Sequence, residues 1–156
     1  MVLALLSAES EAHADAIVIG EAEESWPRLI EDFRRGCLQP RYRAQRPPSL
    51  HHLPHARRDL LEGRWYSKGV LIATRGCPNA CEYCTLPHLY DRTLRFRPVD
   101  EVAQEVAAIK GKPIVFWDDN IAADPGYAKA LFRAITPYKK WWTAQATIKI
   151  AEKLFW

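Results

Sequence analysis

The chain has 156 residues, 48% hydrophobic and 26% charged, with a net charge of +3. These values are ordinary for a globular chain, and the charge is too small to argue for nucleic acid or an anionic substrate. Four cysteines, three of them clustered, are not the framework of a disulfide-stapled domain. The apolar run Met1–Ser7 lacks a basic leader and is too short to span a bilayer, and no other stretch is apolar enough.

The first expected element is a buried strand, Ala14–Gly20, a β-branched run closed by glycine. A helix follows, capped by Ser25 or a nearby glutamate. Pro27 fits its first turn, and Trp26, Leu29, Ile30 and Phe33 recur at helical spacing. Residues 37–66 read as a linker: Pro40, Pro47, Pro48 and Pro54 block regular structure, with arginines and His51, His52 and His55 between them. These histidines are expected to face solvent. Arg57–Leu61 is expected to make a short turn.

From Lys68 the pattern becomes strand–helix repeats. Gly69–Thr74 is the first strand. A helix over Val99–Lys110 carries Val102, Val106 and Ile109 on one face. Pro113–Trp117 is the second strand. Pro125–Ile135 is the second helix, with Tyr127, Leu131 and Ile135 four apart. Trp141–Ala146 is the third strand, and a helix begins at Ile148 and runs to Trp156. Trp117, Trp141, Trp142 and Trp156 are expected to pack in the core. Three βα units imply parallel strands, too few to close a barrel. The chain is expected to be a fragment.

Chemistry concentrates between the first strand and the helix at Val99. Cys77, Cys81 and Cys84 stand at C-x3-C-x2-C spacing, with Tyr83 just before the last. Three thiolates on one loop can hold three corners of a cubane iron–sulfur cluster and leave the fourth iron open to a small molecule. The alternative is structural zinc with His88 as a fourth ligand, although such sites favour paired C-x2-C knuckles. Cys37 stands alone and reads as an incidental thiol. Asn120 and Asp124 read as helix caps. Gln145 and Thr147 share a face of the third strand by period-2 alternation, which makes Gln145 a candidate contact inside a barrel.

The cysteine run resembles the signature of the radical SAM superfamily. Arg95-Phe96-Arg97-Pro98-Val99-Asp100-Glu101-Val102 and Phe116-Trp117-Asp118-Asp119-Asn120 are similar to stretches of its subgroup with an N-terminal cobalamin-binding domain. Ala14–Glu23 resembles the tail of that domain. The resemblance implies an α/β fold: a partial (β/α) radical SAM barrel of three βα units, preceded by the last βα unit of a Rossmann-like cobalamin-binding domain. Residues 1–36 would be the remnant of the cobalamin-binding domain, 37–66 a Pro/Arg-rich linker, and 67–156 the N-terminal half of the barrel. No D-x-H-x-x-G cobalt-ligand motif occurs in the chain, and His13 is assigned no role.

The resemblance further implies a [4Fe-4S] cluster on Cys77, Cys81 and Cys84 and S-adenosylmethionine (SAM) on its open iron. Reductive cleavage would yield methionine and a 5'-deoxyadenosyl radical for C–H activation, the cofactors carrying the hard step. By position, Tyr83 would contact adenine. Asp118 or Asp119 would take the place of the Gly-Gly-Glu run that holds the SAM amino group in many members, and Gln145 would contact SAM or substrate. No catalytic residue is assigned. Arg75 and Arg95 read as surface residues that could offset cofactor charge. In relatives of this kind cobalamin serves methyl transfer, so it belongs to the expected cofactors of a full-length protein. A flavodoxin- or ferredoxin-type electron donor, an unread small-molecule substrate, a cytoplasmic location and no membrane or nucleic-acid partner complete the expectation. The alternatives are a non-catalytic zinc module and an inactive remnant. The isolated chain is expected to cleave SAM poorly.

Overall fold

The computed structural model describes residues 7–61 and 69–151. The end of the expected linker, Lys68, and residues 152–156 with Trp156 lie outside the described residues. The chain divides into two units, Met1–Ser49 and Leu50–Trp156.

In the first unit a short helix α1 (Ser7–Glu11) precedes strand β1 (Ile17–Ile19), helix α2 (Ser25–Arg34) and strand β2 (Arg41–Arg43). β1 and β2 pair in parallel, Val18 opposite Tyr42. The expected strand and helix are present, the strand shorter than the apolar run. β2 departs from expectation, because it lies within the stretch read as an irregular linker. No proline interrupts the six residues between Pro40 and Pro47, and alternation buries Tyr42 while Arg41 and Arg43 stay exposed. The Tyr42 hydroxyl donates to Asp32 Oδ2 at 2.9 Å and accepts from Gln39 N at 2.9 Å, closing β2 onto α2. A Glu11–Arg41 ion pair ties α1 to the same strand.

α2 ends in a Schellman motif. Cys37 N donates to Asp32 O at 2.9 Å and Gly36 N to Phe33 O at 3.1 Å, with Gly36 at φ +69°, where only glycine is unstrained. The start of α2 differs from expectation. Glu24 occupies the cap position without a side-chain hydrogen bond, and Ser25 Oγ instead donates back to Glu21 O at 3.2 Å.

The second unit contains β3 (Val70–Leu71), β4 (Thr74–Gly76), α3 (Leu86–Tyr90), β5 (Leu94–Phe96), α4 (Val99–Ala108), β6 (Pro113–Phe116), α5 (Pro125–Ile135) and β7 (Trp141–Ala144). Its main sheet is parallel, in the order β3-β6-β7. The parallel α/β character expected from the sequence is therefore present. Ile114 and Phe116 of β6 point to one face and meet Val102, Val106 and Ile109 from the α4 segment and Leu131 and Ile135 of α5. Each such side chain stabilises the fold by about 1.5–3 kcal/mol. Val70 and Trp117 point to the opposite face and are exposed.

α5 has the expected bounds. Asp124 caps it, its Oδ1 accepting from Tyr127 N at 2.7 Å, and Pro125 takes the first helical position. Lys140 Nζ donates to Ile109 O and Gly111 O at 2.6 and 2.7 Å and satisfies carbonyls past the end of α4. A 3₁₀ turn at Arg58–Leu60 matches the turn expected there. His52 is exposed as expected, yet its backbone N–H donates to Glu101 Oε2 at 2.8 Å.

The expected first strand is split. Only Val70–Leu71 joins the parallel sheet, and Thr74–Gly76 pairs antiparallel with β5, Gly76 opposite Leu94. Leu94–Phe96, where no strand was expected, supplies that partner strand. The aromatic residues also depart from expectation: Trp117, Trp141 and Trp142 are exposed. Trp142 still stacks on Phe132 at 4.7 Å, and Lys112 Nζ lies 5.3 Å from the Trp141 ring. The expected helix at Ile148 is a 3₁₀ turn, Ile148–Ala151, over the described residues.

Candidate metal centre

The split strand is explained by one carboxylate. Asp118, just past β6, is 2% exposed. It accepts from Ala73 N at 3.0 Å, from Thr74 Oγ1 at 2.7 Å and from Thr74 N. These backbone donors are thereby withdrawn from the parallel ladder, and the chain turns outward into β4. Burial pushes the Asp118 carboxyl above its ordinary value, the neighbouring Asp119 charge adds to this, and the hydrogen bonds from Thr74 and Ala73 oppose it. The Tyr127 hydroxyl reaches Ala73 O at 3.0 Å and Arg97 O at 2.8 Å. Burial pushes its phenol up, with the Asp118 charge as a second cause.

Asp119 is half-buried and acts one residue further along. Its Oδ2 accepts from Gly76 N at 3.0 Å. Gly76 sits at φ +92°, and an added Cβ would lie 2.3 Å from Thr93 O. Only glycine can start the loop here. Cys77 comes next and is 8% exposed. Cys81 is exposed and Cys84 half-buried, all three as free thiols. Cys84 N donates to Cys81 O at 3.0 Å, a turn that brings the last two cysteines onto one short arc. The hairpin of β4 and β5 closes the excursion that carries this loop and α3.

Asn120 completes the set. It was expected to cap a helix; instead it is 3% exposed, and its Nδ2 donates to Cys77 Sγ at 3.8 Å. Its Oδ1 accepts from Thr147 N at 3.4 Å. Asp118, Asp119 and Asn120 thus grip, in order, the exit of β3, the start of the loop and the first thiol. All of this lies beyond the C-terminal ends of parallel strands, where α/β folds place their sites.

The remaining candidates are placed differently. Tyr83 is 91% exposed. Gln145 was expected on the third strand, but β7 ends at Ala144, and Gln145 is exposed in the following loop. Its backbone carbonyl accepts from Ile121 N at 3.1 Å, which draws the chain toward the Asp118–Ile121 loop and out of strand alternation. Arg97 had no expected role. It is 3% exposed, and its Nη1 donates to Ile72 O at 2.8 Å and Glu105 Oε2 at 2.7 Å. Arg58 binds the other oxygen of Glu105 at 2.5 Å. No local pattern marks a buried arginine. The Asp-Asp-Asn run at a strand's C-terminal end was the signal that could have assigned Asn120.

The donor set fits an iron–sulfur cubane. Three soft thiols share one loop, and each would bind a different iron, so they need not meet at a point. Among the described residues no three Cys, His, Asp or Glu side chains converge to hold a single metal ion. His88, the fourth ligand of the zinc alternative, is exposed on α3. Cys37 is exposed and donates to Asp32 Oδ1 at 3.8 Å, within the first unit.

The family model described as the radical SAM superfamily matches residues 71–150. The chain is 30% identical to bacteriochlorophyllide d C-12(1)-methyltransferase of Chlorobaculum tepidum, over 96% of this chain and 35% of that protein. It is 34% identical to bacteriochlorophyllide d C-8(2)-methyltransferase of the same organism, over 56% of this chain and 21% of that protein. To hopanoid C-2 methylase of Rhodopseudomonas palustris it is 23% identical, over 89% of this chain and 29% of that protein. The chain spans about a third or less of the length of these relatives. No solved structure matches it at a significant level.

Proposed function

We propose that this chain, which belongs to the radical SAM superfamily, holds a [4Fe-4S] cluster on Cys77, Cys81 and Cys84 and binds SAM beside it. The observation that carries this reading is the cysteine loop itself, three free thiols rooted by Asp119 and Asn120 beyond the ends of the parallel strands. When bound, the reduced cluster would supply the electron for reductive cleavage of SAM, and with it the radical chemistry that activates a substrate C–H bond.

The chain's own residues position and shield. Asp118 is committed to Ala73 and Thr74 and fixes the exit of β3. Asp119 spends one oxygen on Gly76. Its Oδ1 accepts no hydrogen bond among the described residues, so Asp119 rather than Asp118 is the carboxylate offered to the SAM amino group. Tyr83, exposed on the loop, offers its ring to adenine, and Gln145 lies on the loop that meets Asn120 and Ile121.

The substrate class is a carbon centre that receives a methyl group. Support comes from relatives named as methyltransferases and a methylase. Cobalamin would be the methyl carrier in the full-length protein, with residues 1–36 as a piece of its domain, 37–66 as linker and 67–156 as a piece of the barrel. A flavodoxin- or ferredoxin-type donor would reduce the cluster in the cytoplasm. Among the described residues no helix is long and apolar enough to cross a membrane.

Anaerobic reconstitution of the chain tests the reading. About four irons and four sulfides per chain, with broad visible absorbance, are expected. Replacement of Cys77, Cys81 or Cys84 by alanine should abolish uptake, and His88→Ala should leave it intact. Uptake of zinc alone, lost in His88→Ala, would overturn it.

A further inference from the structure

We propose that Asn120 is a positioning residue that tunes the metal centre by donating a hydrogen bond to the Cys77 sulfur. This rests on the reading of Cys77 as a cluster ligand. Asn120 is 3% and Cys77 8% exposed, so water does not compete for the contact. The two residues are 43 apart in sequence, and Nδ2 approaches Sγ at 3.8 Å. The orientation of the amide is set from its other end. Thr147 N can only donate, so the atom it meets at 3.4 Å is Oδ1, which leaves the NH₂ group toward the sulfur. Asn120 also follows directly on Asp118 and Asp119, whose own hydrogen bonds hold the backbone on which it is mounted.

The physical consequence follows from charge. A thiolate ligand carries more negative charge in the reduced cluster than in the oxidised one. A donor aimed at that sulfur therefore stabilises the reduced state and raises the reduction potential. Only Cys77 among the three cysteines receives a side-chain donor among the described residues, which makes the three thiolates inequivalent.

The test compares the reconstituted wild-type chain with Asn120→Leu, which keeps the volume and removes the donor. Equal iron per chain is expected, with the one-electron potential lowered by a roughly tenfold change in the reduction equilibrium, about 59 mV. A merely structural role would lower cluster occupancy and leave the potential of the remaining cluster unmoved, and that result would overturn the proposal. A second measurement needs no variant at Asn120. The chain has two asparagines, Asn79 and Asn120. With their side-chain amides labelled with ¹⁵N in an Asn79→Ser background, the reduced cluster should show a ¹⁵N hyperfine coupling. Absence of that coupling would refute the hydrogen bond even if Asn120→Leu failed to fold. Failure of the wild-type chain to take up iron would instead overturn the metal-centre reading itself.

Discussion

Gly76→Ala should strongly destabilise the second unit. Two costs add at this position. A left-handed φ of +92° is strained for any residue with a Cβ, by about 1–2 kcal/mol. The new methyl group would also lie 2.3 Å from the Thr93 carbonyl oxygen, roughly 1 Å inside ordinary contact. Thr93 cannot yield freely, because its N–H donates to Tyr90 O at 2.8 Å and its hydroxyl to the same oxygen at 2.5 Å. Relief then requires opening the Gly76–Leu94 end of the hairpin, at about 0.5–1.5 kcal/mol for each hydrogen bond lost. With two such bonds lost the sum is about 2–5 kcal/mol, a large share of the roughly 5–15 kcal/mol that holds a domain together.

Gly111→Ala is the matched control. It shares the left-handed backbone at φ +87°, but its Cβ would meet only Pro113 Cδ at 4.0 Å. It should cost only the conformational share, about 1–2 kcal/mol. Urea unfolding of the two variants, read as midpoint shifts at constant slope, separates clash from strain. Equal midpoints for the two variants would refute the steric argument.

Glu105→Gln should cost about 3–5 kcal/mol, since Arg97 would be left charged, buried and without its carboxylate partner. Burial raises the Glu105 carboxyl, but the hydrogen bonds and charges of Arg58 and Arg97 outweigh it, and the net shift is downward from the ordinary value. Its stability contribution is therefore present above pH 4.5 and lost as pH falls through the lower folded value. The wild-type chain should show a steeper acid limb than Glu105→Gln, and superimposable limbs would contradict the assignment. Asp124→Ala should cost about 1 kcal/mol by leaving Tyr127 N uncapped; a thermal melt with no shift would show that the cap contributes nothing.

Local pattern carried much of the architecture. The spacing of Val102, Val106 and Ile109, and of Leu131 and Ile135, announced two helices with one buried face, and the structure buries those side chains. Pro125 and Asp124 marked a helix start by chemistry confined to four residues. The cysteine spacing pointed to a thiolate-bound metal by the same local logic. Exposure of the tryptophans was not legible, because the count of apolar residues in a strand does not say which face of the sheet is covered.

What the linear chain determined was thus everything that depends on near neighbours: periodicity, caps and the spacing of ligands on one loop. Folding alone decided the division of labour at the site. Asp118, Asp119 and Asn120 are adjacent and chemically alike, yet they engage Thr74, Gly76 and Cys77, partners 43 or 44 residues away. Successive side chains leave a strand end in different directions, so adjacent polar residues reach different partners only once the sheet has brought β3 alongside β6. The same long-range hydrogen bonds that divide the expected strand in two also root the loop that carries the cysteines.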